Sequence, residues 1–304
     1  MAEAYRSAMR GFAEQPFLDV WYAHLDIEQA IGEFRSQMKA KRFKETEKLL
    51  AKAHTRDSTQ AQRKLTTLVD GRRRIISDPP MIVPVEEVFS DVRADAVYEL
   101  IGAVLGKYRR TLQSDRRQLL EHFTLVQVAR KVVGVGSVGT RAFIALLQGR
   151  DAGDPLFLQV KEATASVLED HLPKSRFRQP GERVVQGQRV MQASSDIFLG
   201  WSKGYEANRY FYWRQLRDMK GSAEVETMVP DGLTFYARIC GWTLARAHAR
   251  SGDAAAIAAY LGTSDRFDKS ITDFSQRYAD QNEQDYQEFT DAARTGRITA
   301  VEGV

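Results

Sequence analysis

A closely spaced set of glycines constrains the fold of this chain more than any other feature. The chain reads Gly134-Val-Gly136-Ser137-Val-Gly139 shortly before an apolar run at 142–147. Because glycine has no Cβ, its backbone N–H groups can approach a phosphate closely. The pattern therefore indicates a turn that could cover the phosphates of a nucleotide.

A lysine follows this turn at the end of a second apolar run. A polar turn at 149–155 separates the first run from the run at 156–160, and Lys161 comes directly after it. Counting the short run at 131–133 before the glycines, Lys161 ends the third extended segment. A cation at this place could neutralise phosphate charge. The glycines and Lys161 together predict a nucleotide site.

Three architectures compete for this pattern. In a kinase-type arrangement the glycines join two antiparallel strands and a third strand carries the lysine. In a dinucleotide-binding βαβ unit the glycines open a helix, and Glu162 would bind the ribose. A structural hairpin without a ligand is the third interpretation. The turn at 149–155 fits a hairpin better than a helix-to-strand connection, and no second βαβ unit follows, so the pattern favours the kinase type.

Length and composition predict a globular protein with a sizeable core. The 304 residues suit one large domain or two lobes, and 43% of them are hydrophobic. No apolar run is long enough for a membrane span, and the first residues lack the apolar region of a signal peptide. The single cysteine, Cys240, is expected to be a small core residue. These features favour a reducing, cytoplasmic location without membrane contact.

Positive charge is concentrated between residues 35 and 75. This segment holds 13 Lys and Arg against 4 Asp and Glu, a local charge of +9, which leaves −5 for the rest of a chain whose net charge is +4. Such a stripe can attract nucleic acid. A solvated helix face is the plainer interpretation, and the segment lacks the interleaved aromatic residues that stack on bases.

Periodicity divides the chain into three parts. Residues 1–122 are predicted to be mainly helical with a hairpin at 66–77, residues 123–222 to be rich in strands, and residues 223–304 to be helical with a loose tail. The hairpin is predicted from Asp70-Gly71 between two short extended runs. The apolar positions that mark the helices are Ile27, Ile31, Phe34 and Met38; Val97, Ile101, Val104 and Tyr108; Leu233, Tyr236, Cys240, Leu244 and Ala247; and Phe267, Ile271, Phe274 and Tyr278.

The middle part is predicted to contain three strands, a helix and two further strands. The helix begins near Glu182, and the last two strands are expected at 196–201 and 210–216. Trp201 and Trp213 lie in those strands and are expected in the core.

Several strings resemble one protein family over nearly the whole chain. They are Gly134-Val-Gly-Ser-Val-Gly139-Thr-Arg, Leu158-Gln-Val-Lys161-Glu-Ala, Gly181-Glu-Arg-Val-Val185 with Gly187-Gln-Arg, Asp196-Ile-Phe-Leu-Gly-Trp201, and Arg214-Gln-Leu-Arg-Asp-Met-Lys-Gly221. The family is the uncharacterised bacterial domain-of-unknown-function family DUF2252, which is grouped with the protein-kinase-like fold that includes aminoglycoside phosphotransferases. The resemblance implies an α+β, two-lobe architecture in a permuted order, with a small antiparallel sheet and a mostly helical remainder.

The resemblance also implies roles for individual residues. Gly134, Gly136, Ser137 and Gly139 would form the phosphate-covering loop. Lys161 would contact the phosphates, with Glu182 as the carboxylate that orients it and Glu169 as the second choice. Gln215 and Leu216 would lie near a hinge whose backbone groups bind adenine. A plainer role for Glu182 is an acid in the first turn of a helix, favoured by the helix dipole.

The chain departs from the family pattern in its catalytic strings. Phosphoryl transfer needs a positioning Asp and metal-binding Asp or Asn residues. Longer family members carry a Gly-Asp-x-His-x-x-Asn string and an Asp-rich string before the point that corresponds to Met1, and neither occurs here. The chain therefore resembles the C-terminal part of a longer protein. Asp253 and Asp273 are the remaining catalytic candidates, with helix termination and a surface acid as their plainer roles.

The functional prediction is a kinase-like nucleotide-binding protein, an inactive or truncated phosphotransferase. ATP and Mg²⁺ would be its cofactors, and the phosphoryl acceptor is unknown. No His, Cys or carboxylate spacing in the sequence predicts a metal site of its own. Two alternatives stay open: a non-enzymatic interaction module that uses the basic segment 35–75, and a nicotinamide-dependent oxidoreductase. The oxidoreductase would need a helix directly after Gly139.

Overall fold

A computed structural model of the protein describes residues 1–25, 32, 58–70, 72–132, 134, 139–216 and 225–300. It divides into two compact units: the first combines Met1–Gln37 with Ala223–Val304, and the second is Met38–Ser222. The fold is a mixture of helices and antiparallel strands, as the sequence predicts.

The described residues form the following elements. In chain order, the helices are α1 (Ala2–Ala13), α2 (Phe17–Tyr22), α3 (Ser58–Leu65), α4 (Val85–Val88), α5 (Ala94–Arg109), α6 (Ser114–Glu121), α7 (Pro180–Met191), α8 (Pro230–Ser251), α9 (Ala254–Leu261) and α10 (Arg266–Arg294). The strands are β1 (Thr66–Val69), β2 (Arg72–Ile75), β3 (Ile82–Pro84), β4 (Thr124–Lys131), β5 (Ala142–Gln148), β6 (Pro155–Glu162), β7 (Gly200–Lys203) and β8 (Tyr210–Gln215). Short 3₁₀ helices lie at Val167–Asp170 and Val225–Thr227.

A six-stranded sheet organises the second unit. Its order is β3-β4-β5-β6-β8-β7, and every neighbouring pair is antiparallel. The central strands β5 and β6 are apolar and covered on both sides, which explains their uninterrupted apolar runs. β8 lies between β6 and β7, so the last described strand lies beside β6, the strand that carries Lys161.

The register defines two faces of this sheet. Residues directly opposite each other on neighbouring strands share a face. The row Ala142, Lys161, Tyr212 and Trp201 is therefore on one side, which we call the lysine face. Val160 pairs with Trp213, so these two residues belong to the opposite side, which we call the α5 face.

Helix α5 packs on the α5 face through a buried aromatic contact. Tyr108 is fully buried and stacks on Trp213, with ring centroids 4.6 Å apart. Its hydroxyl donates a hydrogen bond of 2.6 Å to the backbone oxygen of Phe198. The helix predicted from Val97, Ile101, Val104 and Tyr108 is confirmed, and it carries the largest apolar cluster of this unit.

Two layers cover the lysine face at different places. Near the β5–β6 turn, the hairpin β1–β2 and α3 enclose Ile144 and Phe157. The hairpin turns at Asp70, whose φ is +49°, as its Asp-Gly dipeptide predicts. Farther along, α7 packs on β7 and β8, and its Gly181 lies so close that a Cβ would be 2.4 Å from the Phe211 carbonyl oxygen.

The strand predicted at 196–201 begins later than expected. β7 starts at Gly200, because the Asp196 carboxylate folds the preceding residues into a turn. One of its oxygens accepts a 2.8 Å bond from the Phe198 N–H, and the other accepts a 2.7 Å bond from the Gln215 N–H. Local side-chain-to-backbone bonds of this kind compete with a strand ladder.

The first unit is helical, and small residues form its closest contact. α1 packs on α8 at Gly241, where a Cβ would lie 2.5 Å from the Met1 backbone oxygen. The buried face of α8 therefore carries Gly241 and Ala245, whereas Leu233 and Leu244 on the predicted apolar face are exposed. Cys240 is half-buried, not a core residue as expected. The stripe predicted at 27–38 lies almost entirely outside the described residues.

The predicted stripe on α10 lies on one helix but is largely exposed. Phe274 and Tyr278 stack on each other with ring centroids 5.7 Å apart, and both remain more than half accessible to solvent. Across the described ranges, no helix combines the length and apolar character that a membrane crossing requires.

Candidate nucleotide site

Both ends of the glycine-containing segment are held by the sheet. We call residues 132–141 the glycine turn. At its start the Val132 N–H donates to the Met81 carbonyl oxygen at 2.8 Å. At its end the Arg141 N–H donates to the Glu162 carboxylate at 3.0 Å, and the Glu162 N–H donates to the Arg141 carbonyl oxygen at 2.9 Å. The turn therefore joins β4 to β5 between fixed points.

Two of the four predicted phosphate-loop residues are described. Gly139 has a φ of +79°, which a residue with a side chain adopts only with strain. Gly134 is exposed and has open space where a Cβ would be placed. Gly136 and Ser137 lie outside the described residues.

The residue after the glycine turn begins a strand, not a helix. β5 runs from Ala142 to Gln148 and pairs with β4 on one side and β6 on the other. This arrangement lacks the helix that the nicotinamide-dependent alternative requires directly after Gly139. It has the antiparallel connection that the kinase-type interpretation requires.

Lys161 lies on the lysine face beside the end of the glycine turn. Its Cα pairs with Ala142 of β5, the first residue after the turn, and with Tyr212 of β8. The side chain is half-buried. The register thus places the ammonium group on the strand next to the glycines, on the face that α7 partly covers.

Two polar side chains that the sequence prediction missed share this face. Gln159 lies two residues before Lys161 and pairs with Arg214 of β8. Gln159 is only 8% exposed, so its polar side chain is almost completely buried. The period of two in a strand could have identified it, because residues 159 and 161 must point to the same side.

The two carboxylates proposed to orient Lys161 occupy different elements. Glu182 is half-buried in the first turn of α7, the helix that packs over β7 and β8. Glu169 lies in the 3₁₀ helix Val167–Asp170, where its N–H donates to the Ser166 carbonyl oxygen at 2.9 Å. The position of Glu182 near the helix N-terminus also agrees with its plainer role as an acid favoured by the helix dipole.

The proposed hinge residues have N–H groups that are already engaged. The Gln215 N–H donates to Asp196, and the Leu216 N–H donates to the Phe157 carbonyl oxygen at 2.9 Å. Any backbone donor to adenine would therefore have to come from a neighbouring residue.

Glu162 forms an ion-pair cluster on the α5 face. It is 5% exposed, and Arg209 donates to its carboxylate at 2.7 Å, while Arg141 lies 3.9 Å away. Burial alone would raise the pKa of Glu162, but hydrogen bonds from the Arg141 N–H and the Arg209 guanidinium outweigh it and lower that pKa. Because successive strand residues alternate, Glu162 points away from Lys161 and is committed to these partners.

The two catalytic candidates lie in the first unit. Asp253 caps α9, since its carboxylate accepts a 2.9 Å bond from the Ala256 N–H. Asp273 is exposed on α10. Where the structure describes side chains, no cluster of three His, Cys, Asp or Glu residues is arranged to hold a metal ion.

Comparison with known proteins identifies the family. The model described as "Uncharacterized protein conserved in bacteria (DUF2252)" matches residues 1–292, so the chain belongs to this family. No curated protein and no solved structure matches it.

Proposed function

We propose that this member of the DUF2252 family binds a magnesium nucleoside triphosphate on the lysine face, in the manner of the nucleotide-binding lobe of a kinase. One observation carries the proposal: the glycine turn connects two antiparallel strands, and the adjacent strand carries Lys161 beside the end of that turn. A helix and two further strands follow, of which β8 lies next to β6. This is the arrangement that protein kinases use to hold ATP phosphates.

The chemistry of the face suits a polyanion with a larger polar body. Glycine N–H groups and the Lys161 ammonium would bind the phosphates. Gln159 and Arg214 lie one row farther along the same face, so they would contact the part of the nucleotide beyond the phosphates. Mg²⁺ would be held mainly by the phosphate oxygens, which is its common mode in nucleotide sites.

We propose further that this chain binds nucleotide but transfers phosphate slowly. Its sequence contains neither a Gly-Asp-x-His-x-x-Asn string nor an Asp-Phe-Gly string. The carboxylates and amides that position the attacking group and the metal in kinases are therefore not supplied by these motifs. Rapid transfer of the γ-phosphate to a small molecule by the purified chain would contradict this part.

The test is calorimetric titration of Mg-ATP into the purified protein and three variants. Lys161→Ala removes the phosphate-binding cation, and Gly134→Asp places a negative charge in the glycine turn at a position with open space. Lys107→Ala is the control, because Lys107 is exposed on α5, which packs on the opposite face. We expect the first two variants to bind at least about ten-fold more weakly, a loss of about 1.4 kcal/mol, and the control to bind like the wild type.

Either of two results would contradict the proposal. One is no detectable Mg-ATP binding by a wild-type sample whose circular dichroism shows that it is folded. The other is equal binding by the wild type and Lys161→Ala. Absence of binding would favour the interaction module, which predicts salt-dependent retention on DNA that is lost when Lys41, Arg42, Lys44 and Lys48 are neutralised.

A further inference from the structure

A cavity lies on the α5 face of the sheet, on the side opposite Lys161. Its volume is about 450 Å³, and it is bounded by α5 and by strands of the sheet. Its apolar walls include Val97, Ile101, Val104, Phe143, Val160 and Phe211. Protein interiors are normally packed without voids of this size, and ligand pockets span about 300–1,000 Å³.

The cavity opens beside exposed apolar side chains. Phe89 and Leu100, both in its lining, are partly accessible to solvent, and Tyr205, also in the lining, is 72% exposed. Apolar groups that line a cavity and continue to its opening favour entry of an apolar molecule, whereas water finds few partners there.

The cavity lining also includes three charged side chains, each 40–56% exposed, which places them where the cavity meets solvent. They are Arg141, Arg209 and Glu206, two cations and one anion. Arg209 is committed to Glu162 at 2.7 Å and to Glu206 at 3.2 Å. Arg141 is not held in this way, since its guanidinium lies 3.5 Å from Glu206 and 3.9 Å from Glu162. Charge-assisted hydrogen bonds are normally about 2.7–2.9 Å long, so the Arg141 side chain has donors to offer.

We propose that this cavity binds a small amphiphilic monocarboxylate, such as a medium-chain fatty acid. The hydrocarbon chain lies between α5 and the sheet, and the carboxylate takes a bidentate bond from Arg141 in place of the loose contact with Glu206. A cationic head group would lie beside the two guanidinium groups of Arg141 and Arg209 with Glu206 as the one carboxylate of the lining, and a neutral one would not use the charge of Arg141. The cavity lies on the face of the sheet opposite Lys161, although Arg141 is also the last residue of the glycine turn.

Three ligands with the same chain and different head groups test this proposal. Decanoate and decyltrimethylammonium, each below its critical micelle concentration, and decanol, below its solubility limit, are titrated calorimetrically into the wild-type protein. We expect one decanoate per chain, bound at least ten-fold more tightly than either of the other two. Equal affinity for decanoate and decyltrimethylammonium, or no binding of any ligand, would overturn the proposal.

Variants separate the head-group contact from the cavity. Arg141→Gln should remove the preference for decanoate while decanol affinity stays unchanged, and this unchanged affinity also shows that the variant is folded. Leu100→Trp fills the cavity from its partly exposed wall and should weaken decanoate binding at least ten-fold. Lys107→Ala, on the same helix but outside the lining, should bind as the wild type does. Decanoate binding that survives Leu100→Trp unchanged would place the ligand elsewhere and refute the assignment.

Discussion

Replacing Glu162 by Gln should destabilise the protein by an amount that depends on pH. The substitution keeps the shape of the side chain and an oxygen that can accept the Arg141 N–H, but it removes the charge that Arg209 contacts at 2.7 Å. A hydrogen bond to a charged group contributes about 1.5–3 kcal/mol. In the variant, Arg209 keeps Glu206 as a partner and, being 41% exposed, can also be hydrated by solvent. The expected loss in the free energy of unfolding is therefore about 2 kcal/mol.

The pH dependence follows from the direction of the pKa shift. Hydrogen bonds and positive charge lower the pKa of Glu162 in the folded protein despite its burial, so the unfolded chain binds this proton more readily. The stabilisation is present above the unfolded-state pKa and is lost as the pH falls through the folded-state pKa. Glutamine does not titrate. The difference in the free energy of unfolding between wild type and variant should therefore become smaller at acidic pH.

Urea unfolding, followed by tryptophan emission at about pH 7 and about pH 3, measures this difference. Near neutral pH the melting temperature should also fall by about 4–8 °C, given the size of the second unit. Glu206→Gln is the matched control, since Glu206 is 56% exposed and its removal should cost less than about 1 kcal/mol. A loss for Glu162→Gln that is the same at both pH values, or no larger than that of the control, would refute the reasoning.

Further predictions concern packing and capping. Tyr108→Phe should cost about 1–2 kcal/mol in urea unfolding, because the buried Phe198 carbonyl loses the hydroxyl that donates to it. Gly181→Ala should destabilise the protein by about 1–3 kcal/mol in thermal unfolding, because its Cβ would lie 2.4 Å from a β8 carbonyl oxygen. Gly187→Ala is the control on the same helix, and it should be neutral or stabilising because the nearest atom would be 3.7 Å from its Cβ. Asp253→Ala should remove the α9 cap and lower the free energy of unfolding by about 1 kcal/mol. Calorimetry should show that the variant binds Mg-ATP like the wild type. Weaker Mg-ATP binding by the variant would instead support a role in the active site.

The sequence predicted those helices and turns that are determined by residues close together in the chain. Asp70 sits at the hairpin turn, and the spacing of Val97 and Tyr108 produces α5. The period of side chains in a helix or strand is a property of the backbone, so such signals survive without tertiary information. The predicted strand at 196–201 was displaced because Asp196 has a distant partner, the Gln215 N–H, that no local pattern reveals.

The candidate site depended on pairings between distant segments. The sequence offered Lys161 and the glycines as candidates, but the common face of Lys161, Tyr212 and Trp201 follows only from the register of β6, β8 and β7. The cavity was not predictable either, because the residues that line it, such as Val97 and Phe143, look like ordinary core residues in sequence. A void is a property of how side chains fit together, not of their types.

The anchoring of the glycine turn has a consequence for protein engineering. Its first bond is made to Met81 and its last bonds to Glu162, both of which lie outside the turn. The end points of residues 132–141 are thus defined by Met81, directly before β3, and by Glu162 of β6. Turns of equal length from other nucleotide-binding proteins could be grafted between these two anchors. The ligand preference could then be changed by replacing the turn while the sheet stays the same.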